Sequence, residues 1–72
     1  MKPRSLTVRV NQFGNLVAHV SGRIVADECS AYVLALTLTK SYKLNYALTL
    51  AAIQKLNAPG DCWQTKIFQP YA

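Results

Sequence analysis

Side chains able to do acid–base, thiol or metal chemistry are few in this chain: the carboxylates Asp27, Glu28 and Asp61, one histidine, His19, and the cysteines Cys29 and Cys62. General acid–base work needs two titratable groups held in different environments within reach of one substrate. Asp27 and Glu28 are instead adjacent and stand ahead of an apolar pattern of helical spacing, where acids cap a helix and complement its dipole. On a strand, the neighbours of His19 two positions away are Val17 and Ser21, which ligate no metal. Ser, Cys and His occur without the spacing of a nucleophile motif. Gly14, Gly22 and Gly60 are too dispersed to form a phosphate-cradling loop. Two cysteines in a cytosolic chain are expected to be buried free thiols acting as small hydrophobes. These residues predict a domain without catalysis, metal or cofactor.

Charge is the strongest signal. Eight Lys and Arg against three acids leave a formal charge of +5, a field that attracts polyanions and also keeps a small apolar domain in solution. Lys40, Tyr42 and Lys43 cluster near the junction of two helical segments, Arg9 falls on the outer face of a hairpin with His19, and Lys66 alternates away from Trp63. Cations with aromatics between them can pair phosphates and stack a base, so Arg9, Lys40, Tyr42, Lys43 and Lys66 are the candidate polyanion-binding residues. Tyr42 and Tyr46, four apart, equally describe two core positions on one helix. No zinc-finger spacing, glycine-rich strand motif or recognition-helix signature accompanies them.

The expectation is a small basic binding protein that associates with DNA, RNA or another polyanionic surface. The alternative is a regulator or inhibitor that docks on a larger protein or nucleoprotein assembly. Hydrophobic residues make up 51% of the chain, and Val17, Val33 and Phe68 are candidates for an exposed patch that binds a protein or closes a homodimer.

The elements that must position these residues follow from periodicity. With 51% hydrophobic and 15% charged residues the chain collapses rather than staying disordered, and residues 1–72 are expected to form a single compact domain. No apolar run approaches the roughly 20 residues of a membrane span, and Met1-Lys2-Pro3-Arg4-Ser5 does not lead into a signal-peptide block; a soluble, cytoplasmic protein is expected. Leu6, Val8 and Val10, then Leu16, Ala18 and Val20, alternate as two strands of a hairpin. A loop at Phe13-Gly14-Asn15 would set Val10 opposite Ala18 and Val8 opposite Val20, or a pairing shifted by an even step. Ser21-Gly22 leads to Arg23-Ile24-Val25-Ala26, a short third strand or an extension of the second. Residues 28–41 read as a helix capped by Asp27, although 32–39 also alternates by two and carries β-branched Val and Thr. Residues 44–56 read as a second helix with Tyr46, Leu50, Ile53 and Leu56 as its buried stripe. After Pro59-Gly60-Asp61, a strand from Cys62 to Phe68 turns Trp63, Thr65 and Ile67 toward the helices. The fold class is α+β: a small two-layer domain of N-terminal antiparallel hairpin, two helices and C-terminal strand.

Overall fold

Two turns decide how the first strands pair. The computed structural model describes residues 3–68, with strands β1 (Pro3–Val10), β2 (Leu16–Val20) and β3 (Arg23–Glu28), helices α1 (Ala31–Tyr42) and α2 (Tyr46–Gln54), and strand β4 (Cys62–Phe68). Between β1 and β2 the Gly14 N–H donates to the Asn11 carbonyl at 3.0 Å and the Asn11 N–H to the Asn15 carbonyl at 2.9 Å. Gly14 stands at φ 85°, the left-handed residue that closes a three-residue hairpin loop at little steric cost. The loop is therefore Gln12-Phe13-Gly14, one position earlier than the sequence suggested. Asn11 Oδ1 holds it there, accepting from the N–H groups of Phe13 and Asn15, each at 2.9 Å. The register moves by an even step, to Val10↔Leu16, Val8↔Ala18 and Leu6↔Val20, so every apolar residue keeps its face.

The second turn makes Arg23-Ile24-Val25-Ala26 part of a separate strand. Ser21 and Gly22 both have positive φ, 52° and 81°, as a two-residue type I′ hairpin turn requires. It brings Arg23 opposite Val20. Ala18 pairs with Ala26 and His19 with Ile24, which leaves Val25 as an unpaired bulge residue. Strand β4 pairs antiparallel with β1, and the sheet order is β3-β2-β1-β4.

Strand β3 continues through Asp27 and Glu28, so neither acid caps α1 and the helix starts later than residue 28. Its N-cap is Ser30, whose Oγ accepts from the Val33 N–H at 3.4 Å. The bulge accounts for the difference, because it gives β3 the extra residue needed to keep pairing down to Leu16↔Glu28. Residues 32–39 are helical despite their alternation; burial of Leu34, Ala35 and Leu38 follows the helical period. Helix α2 is shorter than 44–56, beginning where Asn45 Oδ1 accepts from the Leu48 N–H at 2.9 Å. Its buried residues are Thr49 and Ile53, and Tyr46 is exposed.

The helices cover one face of the sheet. Leu6, Val8, Ala18, Leu34, Ala35, Leu38, Ile53 and Ile67 are almost wholly buried, with Trp63, Leu50, Leu56 and Tyr42 packed around them. Helix α1 lies against β3 and pairs with α2. The other face carries Ser5, Thr7, Arg9, His19, Gln64 and Lys66. Val17 shares that face yet is 8% exposed, correcting its place as an exposed-patch candidate: its register neighbours Arg9 and Asp27 flank it on either side. Val33 is exposed as expected, and the side chain of Phe68 lies outside the described residues.

The two turns are separable experimentally. Ser21→Asn, which supplies a residue at ease in the left-handed region, should raise stability by about 0.5 kcal/mol or more. Asn11→Ala, which frees two loop N–H groups, should lower it by about 1–2 kcal/mol. Urea unfolding checks both, with the midpoint moving and its slope unchanged.

Candidate functional site

The register places charges at the two ends of the sheet. At one end β1 and β3 begin and β2 and β4 finish: Arg4 pairs with Ile67, Ser5 with Lys66, and Val20 with Arg23. Helix α1 leaves β3 at the opposite end, after Glu28, and α2 returns there through Gly60 and Asp61, which exchange backbone hydrogen bonds with Val10 at 2.9 and 3.0 Å. The α1–α2 junction is the far point of that excursion. Leu44 and Asn45 border one groove with Trp63 and Thr65, the β4 residues that pair with Val8 and Leu6.

Arg4, Arg23 and Lys66 thus lie toward one end of the sheet, Lys40 and Lys43 stand at the close of α1, and all five are exposed. All three acids of the chain lie at the other: Asp27 opposite Val17, Glu28 opposite Leu16, and Asp61 beside Val10. Arg9, opposite Cys62, and Lys55, the C-cap of α2, belong to that second end. Along β1 and β4 the register sets Arg9 and Lys66 toward opposite ends of the sheet. Arg9 shares the open face and a cross-strand row with Val17 and Asp27, so an acid two strands away offsets part of its field. Arg4 and Arg23, which were not among the sequence candidates, stand at the same end of the sheet as Lys66. Recognising Ser21-Gly22 as a two-residue turn would have placed Arg23 beside Val20.

Among the described basic residues Lys43 alone has a positive φ. It is the C-cap of α1 at φ 56°, ψ 39°, with its N–H donating to the Thr39 carbonyl at 2.9 Å. Glycine takes this left-handed position at the end of a helix more readily than any residue with a Cβ. Lys40, in the last turn, and Lys43 both face the negative end of the α1 dipole, which stabilises cations there. Lys66 Nζ donates to Ser5 Oγ at 3.4 Å, leaving most of the ammonium's hydrogen-bonding capacity open. Tyr42 is half-buried against the core, so its ring is not a free stacking platform. Tyr46, 39% exposed at the start of α2, is the tyrosine more open to solvent near the junction.

The acidic end is structural in part. Asp61 Oδ2 accepts from the Asn57 and Ala58 N–H groups at 3.0 and 3.1 Å, and these bonds, Ala58 first, hold its carboxyl below the ordinary carboxylate range. Cys29 and Cys62 are free and exposed rather than buried. Cys62 begins one edge strand and Cys29 follows the other, about 14 Å apart by strand spacing and beyond the reach of a disulfide. Among the described residues no three His, Cys, Asp or Glu side chains converge as a metal site, and no helix is long and apolar enough to cross a membrane. The groove between α2 and β4, about 270 Å³, is lined by Leu44, Leu48, Ala52 and Trp63 with Asn45, Thr49 and Thr65.

A carboxylate with a lowered pKa in the folded state contributes stability above its unfolded pKa, and that contribution is lost as pH falls through the folded value. The thermal midpoint should therefore fall on acidification below about pH 5. Asp61→Asn, which keeps a neutral acceptor, should flatten that decline; an unchanged decline would assign it to other groups.

No family model matches the chain, and neither a curated protein nor a solved structure resembles it closely enough to be paired with it.

Proposed function

We propose that this is a non-catalytic cytoplasmic domain that binds a polyanion, most simply DNA or RNA, through its basic end: Arg4, Arg23, Lys40, Lys43 and Lys66. The observation that carries the reading is the segregation of charge along the sheet, with Arg4, Arg23 and Lys66 toward one end and every acid toward the other. Scattered cations would serve solubility equally well; an end without acids concentrates the field where phosphates would meet it. Lys43 adds support, since it holds a backbone conformation that glycine would adopt at lower energy, and, unlike Ser21, it is not held there by a hairpin turn, so the retained strain points to a use for its side chain. The exposed thiols at opposite sheet edges fit a reducing compartment.

Contacts to phosphate from such an end carry no sequence information. Affinity should depend on salt more than on base composition, with a log–log slope of about −0.9 per phosphate neutralised on duplex DNA and about −0.7 on single strands. Fluorescence anisotropy with labelled single- and double-stranded oligonucleotides at several salt concentrations measures it. Lys40→Ala with Lys43→Ala, or Lys66→Ala, should weaken binding on all sequences and make the slope shallower, while Arg9→Ala should have the smaller effect.

Lys43→Gly gives the sharpest test. It should stabilise the fold by about 1 kcal/mol and weaken polyanion binding, the two effects having opposite signs. Absence of binding to any oligonucleotide at about 50 mM salt, together with one protein retained stoichiometrically in a nuclease-treated pull-down, would overturn the reading in favour of a protein-binding regulator.

A further inference from the structure

We infer that the groove between α2 and β4 takes one unpaired base of a single-stranded nucleic acid whose phosphates meet the basic end. The inference rests on the polyanion reading and names its ligand class. Both walls follow from local spacing: Leu44, Leu48 and Ala52 recur every fourth residue through the start of α2, and Trp63 and Thr65 alternate on the helix-facing side of β4. Their chemistry suits a flat heterocycle. Trp63 packs against the core and also lines the groove, supplying the stacking surface that half-buried Tyr42 does not. Leu48, 72% exposed on the facing wall, is apolar surface that an inserted ring would cover. Asn45 uses its Oδ1 to accept from the Leu48 N–H at 2.9 Å, which leaves its amide N–H groups to donate, and Thr49 and Thr65 add hydroxyl-bearing side chains to the lining.

Size and charge decide among occupants. At about 270 Å³ the groove falls just below the roughly 300–1,000 Å³ of sites for drug-sized ligands, room for one ring system and little more. Each wall continues into a cation, because Lys43 directly precedes Leu44 and Lys66 directly follows Thr65, and no acid is among the lining residues. Strand β4 is an edge strand, so a nucleic-acid backbone leaving the groove passes around that edge toward Lys66. Flanking phosphates would gain from both lysines, whereas a neutral aromatic ligand would not. A base within a duplex is already stacked and paired, and could enter only by flipping out. A single strand avoids that penalty.

Trp63 is the single tryptophan of the chain, so its emission reports on the groove directly. The full chain is titrated, at about 50 mM salt, with an oligothymidylate of about twelve nucleotides, with a duplex of the same length, and with inorganic polyphosphate, an anion without bases. The single strand should quench Trp63 as it binds, while the duplex and polyphosphate should bind without quenching. Ala52→Leu, which fills the groove, and Leu48→Gln, which makes its exposed wall polar, should each weaken single-strand binding about fivefold or more. Both should leave polyphosphate affinity and the salt slope unchanged, and circular dichroism checks that they fold. Single-strand binding without quenching, equal quenching by the duplex, or wild-type affinity for the single strand in either folded variant would overturn the inference and leave the polyanion reading standing. Binding to no oligonucleotide and no polyphosphate would overturn both.

Discussion

Strand β1 pairs with β2 on one side and β4 on the other, and this double pairing fixes the rest of the molecule. Leu6 and Val8 are wholly buried and Val10 nearly so, and their neighbours Ala18, Val20 and Ile67 complete the sheet's contribution to the core. A one-residue slip on either side would turn an entire apolar set outward and bring Arg9 or Lys66 beneath the helices. Transfer of those charges from water costs far more than a small domain's whole stability allows. The β1–β2 pairing is local, whereas β1–β4 closes a loop spanning β2, β3 and both helices and so carries the larger closure entropy.

The distribution of charge is a consequence of that pairing. Arg4, Arg23 and Lys66 are far apart in sequence, and they share one end because β1 and β3 start where β4 finishes. Likewise Asp27, Glu28 and Asp61 fall at the other end, on opposite edges of the sheet, because β3 finishes at the end where the chain enters β4. Lys40 and Lys43 differ in having a local justification, since the negative end of α1 favours cations. The dipole does not explain the left-handed backbone at Lys43, where glycine would serve the helix terminus better. Local stability and the side chain's charge pull in opposite directions at that one position.

Alternation made the hairpin, the last strand and the open face legible, because a period of two survives ignorance of the exact turn. Arg9 with His19, and Lys66 opposite in sense to Trp63, were placed correctly by parity alone. Register was less legible: choosing Gln12-Phe13-Gly14 over Phe13-Gly14-Asn15 depends on Asn11 Oδ1 reaching two N–H groups, an interaction that residue types alone permit in several frames. The start of α1 was hidden by the bulge at Val25, which extends β3 over two acids that resemble a helix cap. The candidate site was half legible. The cations were visible as residues, but which end of the sheet each strand cation occupies is a property of topology: Arg9 lies opposite Cys62 and Lys66 opposite Ser5.

Concentrating like charges has an energetic cost that connects the site back to the fold. Cations gathered at one end repel, most strongly at low salt where screening extends over tens of ångströms. Exposure moderates each pair, and their sum still opposes the compact state. Size leaves little to absorb it: about 105 kcal/mol of apolar burial, at about 25 cal/mol per Å², stands against a similar sum for ordering 72 residues at about 1.5 kcal/mol each. A polyanion that binds the folded state relieves the repulsion and adds stability by mass action, about 2.7 kcal/mol when its free concentration is a hundred times the dissociation constant. Bound counter-charge and fold are therefore thermodynamically coupled in the proposed complex. The same residues that weaken the isolated domain at its basic end would strengthen it once phosphates are engaged, which is why charge segregation and marginal size belong to one physical argument.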